Sequence, residues 1–280
     1  MPSNNKTAST AMSKPKLLIT GAAGRVGTLL RPILLDDYDL RLCDLNPIED
    51  LRDGEQALVG DLADPAIANA AVSGTVGVVH LAAAVSPDIA FAATLAPNYV
   101  AVLNLLEACR EFGVGRFIFA SSHHAVGLHP VSDEPWTASA AIAPDGFYGL
   151  SKAFGEAACA LYAHRFGIEC LAIRIGNADP QVVDGRRERL WVSAADLVQM
   201  IRLGLEGQGE PFRVVYGISN CPQPLLKNDE AFERRYRPVD HSPRNHSATY
   251  RPFTYLTEEE GASFVGGFFA KSSLPDPRKN

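Results

Sequence analysis

Paired cysteines, a leader-type apolar core, a membrane-length run and a basic stripe are all missing from this 280-residue chain. Its five cysteines, Cys43, Cys109, Cys159, Cys170 and Cys221, are odd in number and scattered, with no CxxC spacing. That argues against a disulfide framework and a zinc site, and it is the pattern of reduced thiols in a cytoplasmic protein. The opening "MPSNNKTASTAMSKPK" is polar and small, and no later stretch is apolar for long enough to cross a bilayer, so neither a signal peptide nor a membrane partner is expected. Net charge is −6. The one basic run, "RRYRPVDHSPRNH", sits in an acidic chain and reads as loop structure or a subunit contact rather than a nucleic-acid arm. A G-x-S-x-G elbow is absent, so a serine-hydrolase nucleophile has no support. No internal repeat is visible.

What the chain does contain is a series of short, continuously apolar runs: "KLLIT", "LRLCDL", "ALVGDL", "VGVVHLAAAV", "RFIFASS" and "IECLAIRIG". Amphipathic segments separate several of them, among them "NYVAVLNLLEACREFG" and "FYGLSKAFGEAACALYAHRFG", stopped by Gly113 and Gly167. Buried strands alternating with helices predict a parallel sheet covered on both faces, a Rossmann-like doubly wound α/β fold. After Gly176 the pattern weakens, apart from a helix from Ser193 and a strand "FRVVYGIS". The expected organisation is a disordered tail over 1–15, a dinucleotide-binding domain over 16–176, a small substrate lobe over 177–272 and a flexible tail over 273–280.

"LLITGAAGRVG" places Gly21, Gly24 and Gly27 between a strand and a helix. The first permits a tight turn, the second lets backbone approach a pyrophosphate, and the third lets helix and strand pack closely, while the helix N-terminus favours phosphate. A glycine-rich turn can be merely structural. Here strand, triplet and helix occur in order, and Asp44 ends the next strand, where a carboxylate accepts from ribose hydroxyls and repels a 2′-phosphate. The expectation is NAD. Arg25, inside the loop, is the one residue favouring NADP, and also reads as a solvated helix residue. Asp61 either touches the adenine or caps the helix near Pro65.

"YGLSK" puts Tyr148 and Lys152 at i and i+4, on one helix face. An ordinary tyrosine ionises at about 10, too high for a base at neutral pH; a neighbouring ammonium and the helix N-terminus are expected to lower it. In "SSHHAVGLHP", Ser122 then holds the substrate oxygen while Tyr148 takes its proton. The neighbouring His124 and His129 read as structural or solvent-facing, and no converging ligand set makes a metal site. His80 reads as a packing residue.

These motifs together ("TGAAGRVG", Asp44, "GDL" at Asp61, "HLAA" at His80, Asn98, "SSHHAVG" and "YGLSK") resemble the extended short-chain dehydrogenase/reductases of the NAD-dependent epimerase/dehydratase family, over nearly the whole chain from Lys16. The resemblance implies that Ser122, Tyr148 and Lys152 are catalytic, that Asn98 supports the lysine, and that Arg25, Val26, Leu62, Leu81, Ala82, Ala83 and Ile175 line the cofactor. Within the family, "ASSHHAVG", "LAIRIG", the "W-x-S-x-x-D" pattern and the ending "GASFVGGFF" are similar to uronate dehydrogenases, which oxidise the anomeric hydroxyl of a hexuronate to a lactone. That implies a substrate pocket of Ser86, Ser122, His123, Tyr148, Asn177 and Arg186, with Arg186 on the sugar carboxylate; the run "RRER" from Arg186 also reads as a solvated charged loop with arginines paired to Asp184 or Glu188. His123 and Asn177 depart from that branch, which carries asparagine and serine there, and Asp179 would oppose an anion if it faced the pocket. The expected activity is NAD-dependent oxidation of a sugar acid by a homo-oligomer. The alternatives are a neutral-aldose dehydrogenase, a nucleotide-sugar epimerase or dehydratase, and a non-catalytic NAD sensor, which the Ser, Tyr and Lys set disfavours.

Overall fold

The computed structural model describes residues 14–207 and 209–278; of the expected tails, residues 1–13 and 279–280 lie outside them. Seven strands form one parallel sheet: β1 (Lys16–Thr20), β2 (Asp39–Asp44), β3 (Glu55–Val59), β4 (Gly77–His80), β5 (Arg116–Ser122), β7 (Glu169–Ile175) and β9 (Phe212–Gly217), in the order β3-β2-β1-β4-β5-β7-β9. The order reverses between β1 and β4, which opens a crevice at the carboxyl ends of the strands. The apolar runs explain the layers: Leu17, Leu18, Ile19, Val78, Val79, Phe117, Ile118 and Phe119 are all buried.

Helices α1 (Arg25–Leu34), α2 (Pro65–Val72), α4 (Ala101–Phe112), α5 (Phe147–Phe166) and α7 (Ala194–Glu206) are the long ones. Their ends follow local chemistry. Asp64 caps α2 by accepting from Ala66 N at 2.8 Å, Ser193 caps α7 by accepting from Asp196 N at 3.0 Å, and Gly113 and Gly167 end α4 and α5 in the left-handed region. The segment "NYVAV" differs from expectation. A short α3 (Phe91–Thr94) leads into a π-helical stretch, Leu95–Val100, before α4 begins. Pro97 lies within it and cannot donate a backbone bond, and a π-turn at a functional site is a recurring device.

The boundary expected at Gly176 is not where the layers divide. Both α7 and β9 complete the main sheet: Leu197, Val198, Met200 and Ile201 pack with Ile118 and Leu171, and β9 pairs with β7 from Cys170↔Phe212 to Ile175↔Gly217. The lobe proper is smaller. It consists of two paired ribbons, β6 (Trp136–Thr137) with β10 (Leu226–Lys227) and β8 (Val182–Asp184) with β11 (His246–Arg251), and the short helices α6 (Gly185–Glu188) and α8 (Glu230–Glu233). Its own core joins Val126 to Leu190, Tyr216, Leu225, Leu226 and Val265, so it draws on residues from both sides of Gly176. Among the described residues no helix is long and apolar enough to cross a membrane.

Candidate active site

Two joined cavities follow the crevice. The first, about 360 Å³, is lined by Gly21, Gly24, Asp44, Asp61, Leu62, Leu81, Ala82 and Ala83, together with Asn46 and Pro97, which sequence reasoning missed. The second, about 480 Å³, shares Gly21, Gly24, Leu81 and Ala83 with the first and continues along Arg25, Val26, Gly27, Ser122, His123, His124, Tyr148, Lys152, Ile175, Asn177 and Arg186. Every expected cofactor residue therefore lines one of the two.

The glycine loop is built by close approach. Gly21 has φ +65°, and a Cβ there would stand 2.6 Å from Ala82 N; a Cβ on Gly27 would stand 2.7 Å from Gly21 O. Asp44 is fixed against this loop, accepting from Ala23 N and Asn46 N, each at 3.0 Å. Each carboxylate oxygen keeps a second lone pair toward the cavity. Asp61 does not cap α2; it accepts from Ala63 N at 2.9 Å, leaving the cap to Asp64. Arg25 bridges to Asp179, which ties the loop to the segment after β7 and neutralises the carboxylate that would oppose an anion in the second cavity. These residues fit a dinucleotide: a glycine cradle joins two elongated spaces, with a carboxylate at one end and the buried Lys152 at the other.

Tyr148 and Lys152 project from the first turns of α5 toward Ser122 at the end of β5. Lys152 is 4% exposed, and its Nζ lies 5.1 Å from the Phe119 ring centroid and 5.5 Å from that of Tyr148. Among the described residues no oxygen accepts from it. Burial pulls its pKa down to about 7, and burial pushes Tyr148 up to about 12, with Ser122 acting the other way. The expected lowering of Tyr148 by the lysine is therefore not present, because a lysine desolvated this far does not hold its charge firmly. Asn98 makes no hydrogen bond to Lys152 among the described residues; its Oδ1 accepts from Ala84 N at 2.7 Å and its Nδ2 donates to Ala84 O and Ser151 Oγ, both at 2.9 Å. Asn98 thereby ties the loop after β4 to α5.

The substrate residues divide. Ser86 is not in either cavity wall and is bonded to Asp88 instead. His123 is buried; its Nδ1 lies 3.1 Å from Ile175 O, so Nδ1 carries the proton and Nε2, buried without a partner among the described residues, is a bare acceptor. Asn177 Nδ2 is likewise buried and has no partner among them. Arg186 gives one bond to Val265 O at 2.8 Å and makes no ion pair among the described residues, whereas Arg187 pairs with Asp184 at 2.7 Å and Arg189 binds backbone oxygens. Burial lowers Arg186 to about 10, which leaves it charged at neutral pH. His124 is in the wall rather than merely structural; Phe268 and Phe269, which sequence reasoning missed, line the same cavity, and Asp145, also missed, stands behind the wall with Oδ2 2.6 Å from His124 Nδ1. His129 does fit its structural reading, stacked on Trp136 at 4.2 Å.

The buried histidines set the acid stability. His80, bonded to Thr20 Oγ1 at 2.7 Å, and His124 are both pulled down to about 3 by burial, His123 falls well below its usual value, and burial raises Asp145 to about 7. Below about pH 6.5 the unfolded chain protonates these histidines and the folded one does not, so stability falls as pH falls; Asp145, which takes up a proton in the folded state, offsets His124 in that window. The remaining two give a loss of up to about 3 kcal/mol per pH unit. Urea unfolding between about pH 6.5 and 5 checks this, and a midpoint that does not move would contradict it.

Residues 17–179 match the NAD dependent epimerase/dehydratase family. The chain is 37% identical over 257 residues to a uronate dehydrogenase of Pseudomonas putida, covering 91% of this chain and 95% of that one. It is 30% identical over 239 residues to an NAD-dependent glucose-6-phosphate dehydrogenase of Haloferax volcanii, covering 79% and 90%. In three dimensions it superposes on a uronate dehydrogenase variant from Agrobacterium tumefaciens solved in complex with NAD, with a TM-score of 0.84 and 30% identity, over 94% of this chain and 99% of that one. A glycine cradle, Ser122 at the end of β5 facing Tyr148 and Lys152 of α5, and relatives of this extent lead to one conclusion: the chain belongs to the NAD-dependent epimerase/dehydratase family.

Proposed function

We propose that this protein oxidises the anomeric hydroxyl of a hexuronate or similar anionic sugar to the lactone, with NAD as the oxidant. The observation that carries the reading is Arg186: a charged guanidinium without an ion pair among the described residues, in the same cavity wall as Ser122, Tyr148 and Lys152. Its remaining N–H groups suit the sugar carboxylate. Asp179 does not cancel it, being held by Arg25.

Bound NAD supplies the acceptor for the hydride that leaves C1. The rest falls to the chain. The Ser122 hydroxyl oxygen accepts from His124 N at 3.2 Å, which leaves its own proton to donate to the reacting oxygen. Tyr148 takes the proton of that hydroxyl as the C1–H bond breaks, so that one hydride and one proton leave and a lactone carbonyl forms. Lys152 Nζ is the donor available for the nicotinamide ribose hydroxyls, and Gly21, Gly24, Gly27, Asp44 and Asp61 hold the adenosine and pyrophosphate portions. His123 Nε2, an acceptor, and Asn177 Nδ2, a donor, meet ring hydroxyls of opposite polarity.

The test is the rate of NADH formation over a panel of hexuronates, matched neutral aldoses and nucleotide sugars. The reading expects turnover of hexuronates well above that of the neutral sugars. Preference for the neutral sugars would leave a neutral-aldose dehydrogenase, and no turnover of any free sugar would overturn the reading.

A further inference from the structure

Asp145 sits in the turn before α5 with its side chain fully buried. Three glycines from three segments form its seat: a Cβ on Gly127 or Gly266 would collide with Oδ2, and one on Gly149 would stand 2.9 Å from Oδ1. Space is thus reserved for a carboxyl group in a region where a charged one is costly to bury. Oδ1 has no partner among the described residues, and Oδ2 lies 2.6 Å from His124 Nδ1. The His124 ring is held on both sides, stacked on Phe269 at 4.1 Å and edge-on to Tyr148 at 5.6 Å, and it lines the reaction cavity. A carboxylate only accepts, so when Asp145 is ionised the proton of this contact belongs to Nδ1 and Nε2 is bare.

We propose that Asp145 is a positioning residue that locks His124 with its proton on Nδ1, so that the Nε2 lone pair accepts from a hydroxyl of the bound sugar acid. This rests on the proposed function for the identity of the ligand, but not for the tautomer. A second proton on the pair puts hydrogen on Nε2 and turns that acceptor into a donor. Tyr148 from α5, His123 from the same turn as His124, and Arg186 from α6 are the other ionisable groups facing the pair, and the Arg186 charge opposes the second proton.

Nitrogen-15 NMR of the histidine rings in the ligand-free full chain, with His124→Gln to assign the signal, reads the tautomer directly. At about pH 8 the expected pattern is a protonated Nδ1 and an unprotonated Nε2, with Nε2 gaining its proton on acidification. In Asp145→Asn, whose amide can donate to Nδ1, the Nε2–H form should appear, and kcat/KM for the sugar should fall about 10- to 100-fold, mainly through KM, with NAD affinity retained. A protonated Nε2 in the wild type at that pH overturns the proposal, as does an Asp145→Asn protein with unchanged kcat/KM. If that variant does not fold, the wild-type titration alone decides. A correct tautomer in a protein that turns over no sugar would sink the functional reading and leave the Asp145–His124 lock standing.

Discussion

Replacing Tyr148 by Phe is expected to lower kcat by about 10²- to 10⁴-fold while leaving NAD affinity nearly unchanged. The ring stays, and with it the edge contact to His124 and the face toward Lys152; only the oxygen that receives the sugar proton is lost. Because burial pushes Tyr148 up to about 12, the ionised fraction grows with pH across the neutral range, so wild-type kcat/KM should climb from about pH 6 to 9 and the residual activity of the variant should not. Stopped-flow traces of NADH formation and titration of NAD binding separate the two effects. A variant retaining most of its kcat, or one that keeps the wild-type pH profile, would show that another group takes the proton.

Arg186→Ala is expected to act on binding instead. Truncating one partner of a buried charge pair costs about 2–5 kcal/mol, on the order of 30- to 5000-fold in kcat/KM for a hexuronate. A neutral aldose of the same ring stereochemistry should lose only a few-fold. Arg187→Ala is the matched control, since that guanidinium is already paired with Asp184 and 41% exposed. Equal losses for acidic and neutral sugars would remove Arg186 from the carboxylate and return the cavity to a neutral substrate. The folded protein should not suffer, because Arg186 gives up one bond to a backbone carbonyl and no ion pair among the described residues.

The sheet was legible because its strands are buried on both faces and read as continuous apolar runs, and the glycine loop because each of its glycines answers a separate steric demand. The i, i+4 spacing of Tyr148 and Lys152 was enough to put them on one face of α5. Interactions between distant segments were not legible. Nothing in the linear sequence singles out Asp145, and only the convergence of Gly127, Gly149 and Gly266 makes it a seated partner of His124. Asp179 looked like an obstacle to an anion until Arg25, 154 residues away in the chain, was found beside it. Likewise α7 and β9 look like parts of a second lobe in a linear reading, and join the main sheet because their apolar faces match Ile118, Leu171 and Ile173. The expected lowering of Tyr148 fails for the same reason: local spacing shows which groups are neighbours, while burial by the rest of the fold decides which of them holds a charge.

The most direct test of the central claim uses a hexuronate bearing deuterium and carbon-13 at C1, mixed with the protein and NAD and followed by NMR. The account expects the deuterium to leave C1 and appear in the reduced nicotinamide in one-to-one yield, while the labelled carbon becomes a lactone carbonyl. Deuterium retained at C1, with a sugar epimerised elsewhere on the ring and no net NADH, would contradict it.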